Sequence, residues 1–220
     1  MTEPIAPPVT ANDFRRDPEE LVLAELAAAE RVLRSGWWIL GTEVEGFEQE
    51  WARYCASPHA VGVANGLDAI EIALRAMGVG AGDEVITTPV TAYATTLAIQ
   101  RCGAVPVFAD IDPATGCLAV DSVGTCITPS TRAILPVHLY GRAADLDGLA
   151  TLCDAHGLAL IEDCAQAHGA LHRGRPVGSV GVCAAWSFYP TKNLGAIGDA
   201  DRKSTRLNSS HLVISYAVFC

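Results

Sequence analysis

From residue 60 onward the chain alternates short runs that are apolar throughout with longer segments of helical periodicity. The runs and helices follow as 60–64 then 67–77, 84–88 then 91–102, 105–109, 133–137 then 145–156, and 158–161. A strand without a polar face must be covered on both sides, and a helix between strands supplies the crossover that parallel pairing requires. The pattern therefore predicts an α/β fold with a mostly parallel sheet flanked by helices. At 220 residues and 50% hydrophobic content, the chain is long enough for one such core and short for two.

Two helices are expected ahead of the sheet. Asp17-Pro18-Glu19-Glu20 offers a cap, a proline at the first helical position and a capping-box glutamate, and the Ala/Leu/Glu-rich run that follows stops at Gly36. The second begins at Thr42, and Val44, Phe47, Trp51 and Tyr54 recur at helical spacing as one buried face.

A net charge of -10 lacks the basic patch that grips nucleic acid or anionic lipid. No apolar run reaches membrane-span length, and the N-terminus shows no basic-then-apolar leader, so a cytoplasmic protein is expected. The eight cysteines form no C-x-x-C pair and sit mostly in apolar stretches, which predicts reduced core thiols. The six histidines show no metal-binding spacing, and no metal site is expected.

Ligands of parallel α/β sheets gather beyond the carboxyl ends of the strands. After the first strand, Asn65-Gly66-Leu67-Asp68 permits close backbone approach and opens a helix whose free N–H groups could hold a phosphate, although such a turn is often only a turn. The strand ending at Ile161 runs into Glu162-Asp163-Cys164-Ala165-Gln166-Ala167-His168-Gly169. A carboxylate at that depth needs a partner, and a protonated pyridine nitrogen fits as well as a capping Asp with a satisfied core histidine. Ser187-Phe188-Tyr189-Pro190-Thr191-Lys192-Asn193-Leu194-Gly195 delivers one lysine from an apolar, aromatic strand. Burial disfavours an ammonium and so favours the free amine of a nucleophile, with a surface lysine lying along the apolar wall as the alternative. His138-Leu139-Tyr140-Gly141 could line the same rim.

These segments, with Gly41-Thr42-Glu43-Val44-Glu45-Gly46-Phe47-Glu48, Val61-Gly62-Val63-Ala64-Asn65-Gly66 and Gly82-Asp83-Glu84-Val85-Ile86, resemble the DegT/DnrJ/EryC1/StrS aminotransferases over residues 36–199. The resemblance implies an aspartate-aminotransferase-like (fold type I) large domain, pyridoxal 5'-phosphate (PLP) as cofactor, and transamination of a nucleotide-linked keto-sugar. It places the cofactor on Lys192, sets Asp163 against the ring nitrogen and Gln166 near the phenolic oxygen, and gives the phosphate to Ser187 and the Gly66-Leu67 turn. Lysine rather than histidine at 192 points to transamination over dehydration. The segment Pro89-Val90-Thr91-Ala92-Tyr93-Ala94-Thr95-Thr96 resembles the branch acting on dTDP-linked keto-deoxyhexoses. Ala92 stands where many members stack an aromatic, so either Tyr93 takes that role or the stacking is lost, and Leu67 replaces a common hydroxyl residue.

The resemblance also implies a homodimer, with glutamate as the amino donor. Residues 1–35 are expected as an N-terminal helical segment, 36–200 as an incomplete PLP-binding domain without its C-terminal small domain, and 201–220 as a foreign or out-of-frame end. The alternative on this reading is an inactive PLP-binding fragment, poorly soluble and with little or no turnover.

Overall fold

The computed structural model describes residues 12–196, together with the backbone of 201–205. Residues 1–11, 197–200 and the rest of the tail, including the apolar end at His211 to Cys220, lie outside the described residues. The chain divides into two compact units, Met1–Gly41 and Thr42–Cys220.

In the first unit, α1 spans Glu19–Ser35 and stops at Gly36, whose φ of 67° is the left-handed conformation that glycine adopts without strain. Its start differs from expectation by one position: Pro18 takes the cap place and no side chain caps the helix.

The second unit opens with α2 (Thr42–Tyr54) and β1 (His59–Val63), followed by α3 (Gly66–Ala76), β2 (Glu84–Thr87), α4 (Tyr93–Arg101), β3 (Val105–Phe108), α5 (Val120–Cys126) and β4 (Thr131–Ile134). Then come α6 (Leu146–His156), β5 (Ala159–Asp163), the short strands β6 (Leu171–His172) and β7 (Arg175–Pro176), β8 (Cys183–Ser187) and β9 (Asp201–Thr205). The main sheet has the order β1-β9-β8-β5-β4-β2-β3. The block from β3 to β8 is parallel throughout, and β9 runs antiparallel between β8 and β1.

Two hydrophobic cores cover the sheet, one on each face. Successive residues of a strand point to opposite sides, so Ile86, Ile134, Leu160 and Ala184 enter one core while Val85, Ala133, Ile161 and Ala185 enter the other. The first core also takes Trp51 of α2 with Leu146 and Leu149 of α6. The second takes Ile70 and Leu74 of α3 with Ala98 and Ile99 of α4. Each fully buried Leu or Ile contributes about 1.5–3 kcal/mol.

Tyr54, expected on the buried face of α2, is 54% exposed, although its ring stacks on Trp51 at 5.1 Å. The helix α5 and the β6–β7 hairpin were not expected: Val-Asp-Ser-Val-Gly-Thr-Cys is a weak helix former, held by the burial of Val123. The seven described cysteines are free thiols, six of them buried.

Candidate active site

Four strand ends meet at the carboxyl edge of the sheet around a cavity of about 280 Å³. The first wall is the turn after β1. Asn65 caps α3 by accepting from the Asp68 N–H at 2.9 Å, which leaves the N–H groups of Gly66 and Leu67, the first two of the helix, without helical partners. Gly66 and Leu67 both line the cavity. Anions bind such a terminus because the free donors and the helix dipole act together.

The second wall is the start of α4, from which Ala92, Ala94 and Thr95 reach the cavity. Tyr93 does not line it and is 70% exposed. The expectation that Tyr93 covers the ring position is therefore corrected by helical phase. Thr95 is fully buried, and a residue two positions earlier on a helix lies about 200° around the axis. Ala92 meets the space with no more than a methyl group.

The third wall is the end of β5. Asp163 is held on both sides: its N–H donates to the Pro136 carbonyl at 2.9 Å, its carbonyl accepts from His138 N–H at 3.0 Å, and the next N–H, from Cys164, donates to Ala185 of β8 at 2.8 Å. Its carboxyl is buried. Oδ1 accepts from the Ala165 N–H at 3.1 Å and Oδ2 from the Thr95 hydroxyl at 2.8 Å. Burial raises the carboxyl above the ordinary value, and the Ala165 and Thr95 donors only partly oppose it.

The fourth wall follows β8. Ser187 and the half-buried Lys192 line the cavity with Tyr189 and Thr191. The lysine loop is closed on itself by two backbone bonds, Lys192 N–H to Tyr189 carbonyl and Ala196 N–H to Phe188 carbonyl, both at 2.8 Å. A Cβ at Gly195 would strike the Pro190 carbonyl, so the close approach requires glycine there. Lys192 Nζ makes no hydrogen bond or ion pair among the described residues.

Gly66, Leu67, Asp163, Ser187 and Lys192 are thus brought together, as their places after strands suggested. Gln166 lies outside the cavity lining. Its Oε1 accepts from the Tyr140 N–H at 3.0 Å, which leaves its amide N–H groups unengaged among the described residues. His138 does not line the rim either. It is fully buried, accepts the Ala144 N–H on Nδ1 at 3.0 Å, and so donates from Nε2 to Glu162 Oε2 at 2.9 Å. Glu162 also accepts from the N–H groups of Gly178, Val180 and Gly181. Burial would raise this carboxyl, but His138 and the Gly181 and Gly178 donors outweigh it and hold it below the ordinary value. His138, Glu162 and Cys164 place potential metal ligands within 4.8 Å of one another, yet these hydrogen bonds already occupy both imidazole nitrogens and both carboxylate oxygens.

The cavity fits PLP on two observations. Asp163 is a buried carboxylate at the cavity wall whose hydrogen-bond partners among the described residues are neutral, and a protonated ring nitrogen would provide the cation that suits such a group. Free N–H groups at the start of α3, with Ser187 on a neighbouring wall, suit a phosphate.

A model of the DegT/DnrJ/EryC1/StrS aminotransferase family matches residues 20–201. The dTDP-3-amino-3,4,6-trideoxy-alpha-D-glucose transaminase of Streptomyces venezuelae is 51% identical over 195 residues, covering 88% of this chain and 51% of its own. The erythromycin biosynthesis sensory transduction protein EryC1 of Saccharopolyspora erythraea is 55% identical over 172 residues, covering 78% of this chain and 47% of its own. The chain therefore spans about half the length of the curated relatives it matches. Among solved structures, S. venezuelae DesV in complex with a ketimine intermediate superposes with a TM-score of 0.84 at 45% identity, over 91% of this chain and 59% of that one. NtdA from Bacillus subtilis with bound cofactor PMP gives 0.82 at 34% identity, over 87% and 43%. These neighbours are fold type I aminotransferases, so sequence, fold and the cavity lining agree: the chain belongs to the DegT/DnrJ/EryC1/StrS aminotransferase family.

Proposed function

We propose that this chain carries the PLP site of a sugar aminotransferase acting on a nucleotide-linked keto-sugar, of the dTDP-keto-deoxyhexose type, in amino-sugar biosynthesis. The observation that carries the reading is the buried Asp163 carboxyl, raised by its burial and lacking a hydrogen-bonded cation, on the wall of the cavity that Lys192 also lines. The sugar class draws on relatives named as dTDP-amino-sugar transaminases.

PLP, when bound, supplies a carbonyl that takes up an amino group and a conjugated ring that draws electron density from the reacting carbon. Lys192 Nζ would hold the cofactor covalently and, as a free amine, would move a proton at the substrate carbon that bears nitrogen. The Asp163 carboxylate would hold a protonated ring nitrogen. The Ser187 hydroxyl and the N–H groups of Gly66 and Leu67 would bind the phosphate, backbone donors replacing the hydroxyl that Leu67 lacks. Gln166 does not line the cavity, but its oxygen is taken by the Tyr140 N–H and its amide N–H groups would be the part turned to the phenolic oxygen. Such positioned acid-base groups contribute about 10²- to 10⁴-fold. Glutamate is the proposed donor, a homodimer the proposed assembly and the cytoplasm the proposed location; no helix of the described residues is long and apolar enough to cross a membrane.

The test is an absorbance spectrum with added PLP, followed by borohydride reduction and peptide mapping, on the parent chain and Lys192→Ala. A reduced adduct on Lys192, absent from the variant, supports the site; a folded parent without an adduct overturns it. A second reading of the same cavity is PLP binding without turnover. An adduct on Lys192 with no conversion of keto-sugar nucleotides would select it.

A further inference from the structure

We propose that Thr95, backed by Thr91, is a positioning residue that lets Asp163 gain or lose its proton without breaking a hydrogen bond, through a two-hydroxyl chain whose donor direction reverses with the charge. The usefulness of this device rests on the PLP reading of the cavity; the chain itself belongs to the cofactor-free protein.

Thr95 Oγ1 is fully buried, 2.8 Å from Asp163 Oδ2 and 2.7 Å from Thr91 Oγ1, and in the second contact either oxygen can donate. Oδ1 accepts from a backbone N–H, that of Ala165, in every state, so a proton on Asp163 sits on Oδ2. When the carboxyl is ionised, Thr91 donates to Thr95 and Thr95 donates to Oδ2. When Oδ2 is protonated, it donates to Thr95, and Thr95 turns its hydrogen to Thr91. Only hydroxyl groups, each donor and acceptor at once, allow both arrangements with the heavy atoms fixed. A backbone N–H or a lysine in place of Thr95 would serve the ionised form alone.

The surroundings give the device a purpose. The carboxyl is buried where its charged form is disfavoured by the protein alone and would be favoured beside a cation. The other titratable groups near it are His138 beyond β4, Glu162, which points to the opposite side of β5, Cys164 on its own segment, and Lys192 beyond β8. His138 has both ring nitrogens engaged, and Glu162 is already matched by four donors. The threonine chain is thus the element that adapts.

The two links predict shifts of opposite sign. In Thr95→Val the ionised carboxyl loses a donor, and a hydrogen bond to a charged group is worth more than one to a neutral group. The Asp163 midpoint then rises by about one pH unit. In Thr91→Val the ionised arrangement keeps its bond to Oδ2, but the protonated one leaves the Thr95 O–H without an acceptor. The midpoint then falls by about one unit. Thr95→Ser retains the hydroxyl and restores the parent value.

The experiment follows the carboxyl carbon-13 shifts of aspartate-labelled, cofactor-free chain against pH, with the Asp163 resonance assigned by its loss in Asp163→Asn. Opposite shifts in the two valine variants, with the serine variant at the parent midpoint, support the chain. Equal-sign shifts, or none, overturn it. Thr91 is only half-buried, so should Thr95→Val fail to fold, the fall expected in Thr91→Val decides alone. A PLP titration of the parent separates the two readings. Opposite shifts without PLP binding would sink the PLP site and leave the hydroxyl chain standing, and PLP binding without the shifts would do the reverse.

Discussion

Glu162 and Asp163 are consecutive, both buried, and point to opposite sides of β5: Glu162 Oε2 lies 2.9 Å from His138 Nε2, while Asp163 Oδ2 faces Thr95 and the cavity. One carboxylate is matched by four donors and the other by two neutral ones. The first is a structural tie that joins the β5 end, the loop after β4 and the segment 178–181.

Glu162→Gln should therefore destabilise the fold strongly. An amide NH₂ at either oxygen position would face backbone N–H groups, and breaking a buried charged network costs about 3–5 kcal/mol. Because the Glu162 carboxyl is held below its ordinary value, its contribution is present above the unfolded value and is lost as pH falls through the folded one. Urea unfolding of parent and variant between neutral and acid pH checks both statements; a variant as stable as the parent would remove the tie.

His168 gives an acid sensitivity of a different origin. Its ring lies among Trp51, Trp186 and Phe188, with centroids 5.7, 5.3 and 5.1 Å away, and neither nitrogen makes a regular hydrogen bond. Burial first, and then the charge of Lys192, lower its pKa from 6.5 to about 4, with the Ser187 backbone weakly opposing. Between these values the unfolded chain binds the proton and the folded one does not, so stability falls as pH drops. From neutral pH to pH 5 the loss from this group is about 2 kcal/mol. His168→Phe should lose less stability over the same interval by that amount, read from denaturant midpoints at the two pH values.

Gly195→Ala tests whether the lysine loop must close as observed. The added methyl meets the Pro190 carbonyl, so the loop has to open and Lys192 has to move. Small displacements of a reacting group cost up to about a hundredfold in rate, and attachment of PLP should slow by about ten- to a hundredfold at unchanged far-ultraviolet dichroism. Attachment at the parent rate would show that the loop tolerates opening.

Ala92→Phe should tighten cofactor retention. Ala92 lines the cavity at the cap position of α4 in an extended conformation open to any side chain, and an aromatic there can lie against a bound ring. Aromatic pairs are worth about 0.5–1.5 kcal/mol beyond burial, or about two- to tenfold slower loss of PLP after reduction-free gel filtration. Faster loss would place the ring elsewhere.

The sheet, and the gathering of five candidate residues around one cavity, were legible because apolar strands announce themselves and ligands sit at their ends. Gly66, Leu67, Asp163, Ser187 and Lys192 each follow such a run, and the cavity collects them. Tyr93, offered at the ring position by the resemblance alone, stands outside the cavity lining, and its direction depends on the exact residue at which α4 starts. Thr95 gave no signal at all: a threonine inside a helix reads as an ordinary core residue until the fold sets it beside a carboxyl remote in sequence. The His168 cage was hidden for the same reason, since its rings come from α2, from β8 and from the segments just after β5 and β8. Helix α5 was hidden by its composition, because burial of Val123 outweighs poor intrinsic propensity.

The cavity walls enter the chain in the order Gly66, Thr95, Asp163, Lys192, so the lysine is the last of them to be synthesised. On a ribosome the turn at Gly66 and the carboxyl emerge ahead of the amine, and Lys192 cannot join them until β8 has paired with β5. Covalent capture of a cofactor at Lys192 would then act as a timer for the parallel block: it cannot occur on a partly assembled sheet, and once it has occurred, unfolding must first pull against the attachment.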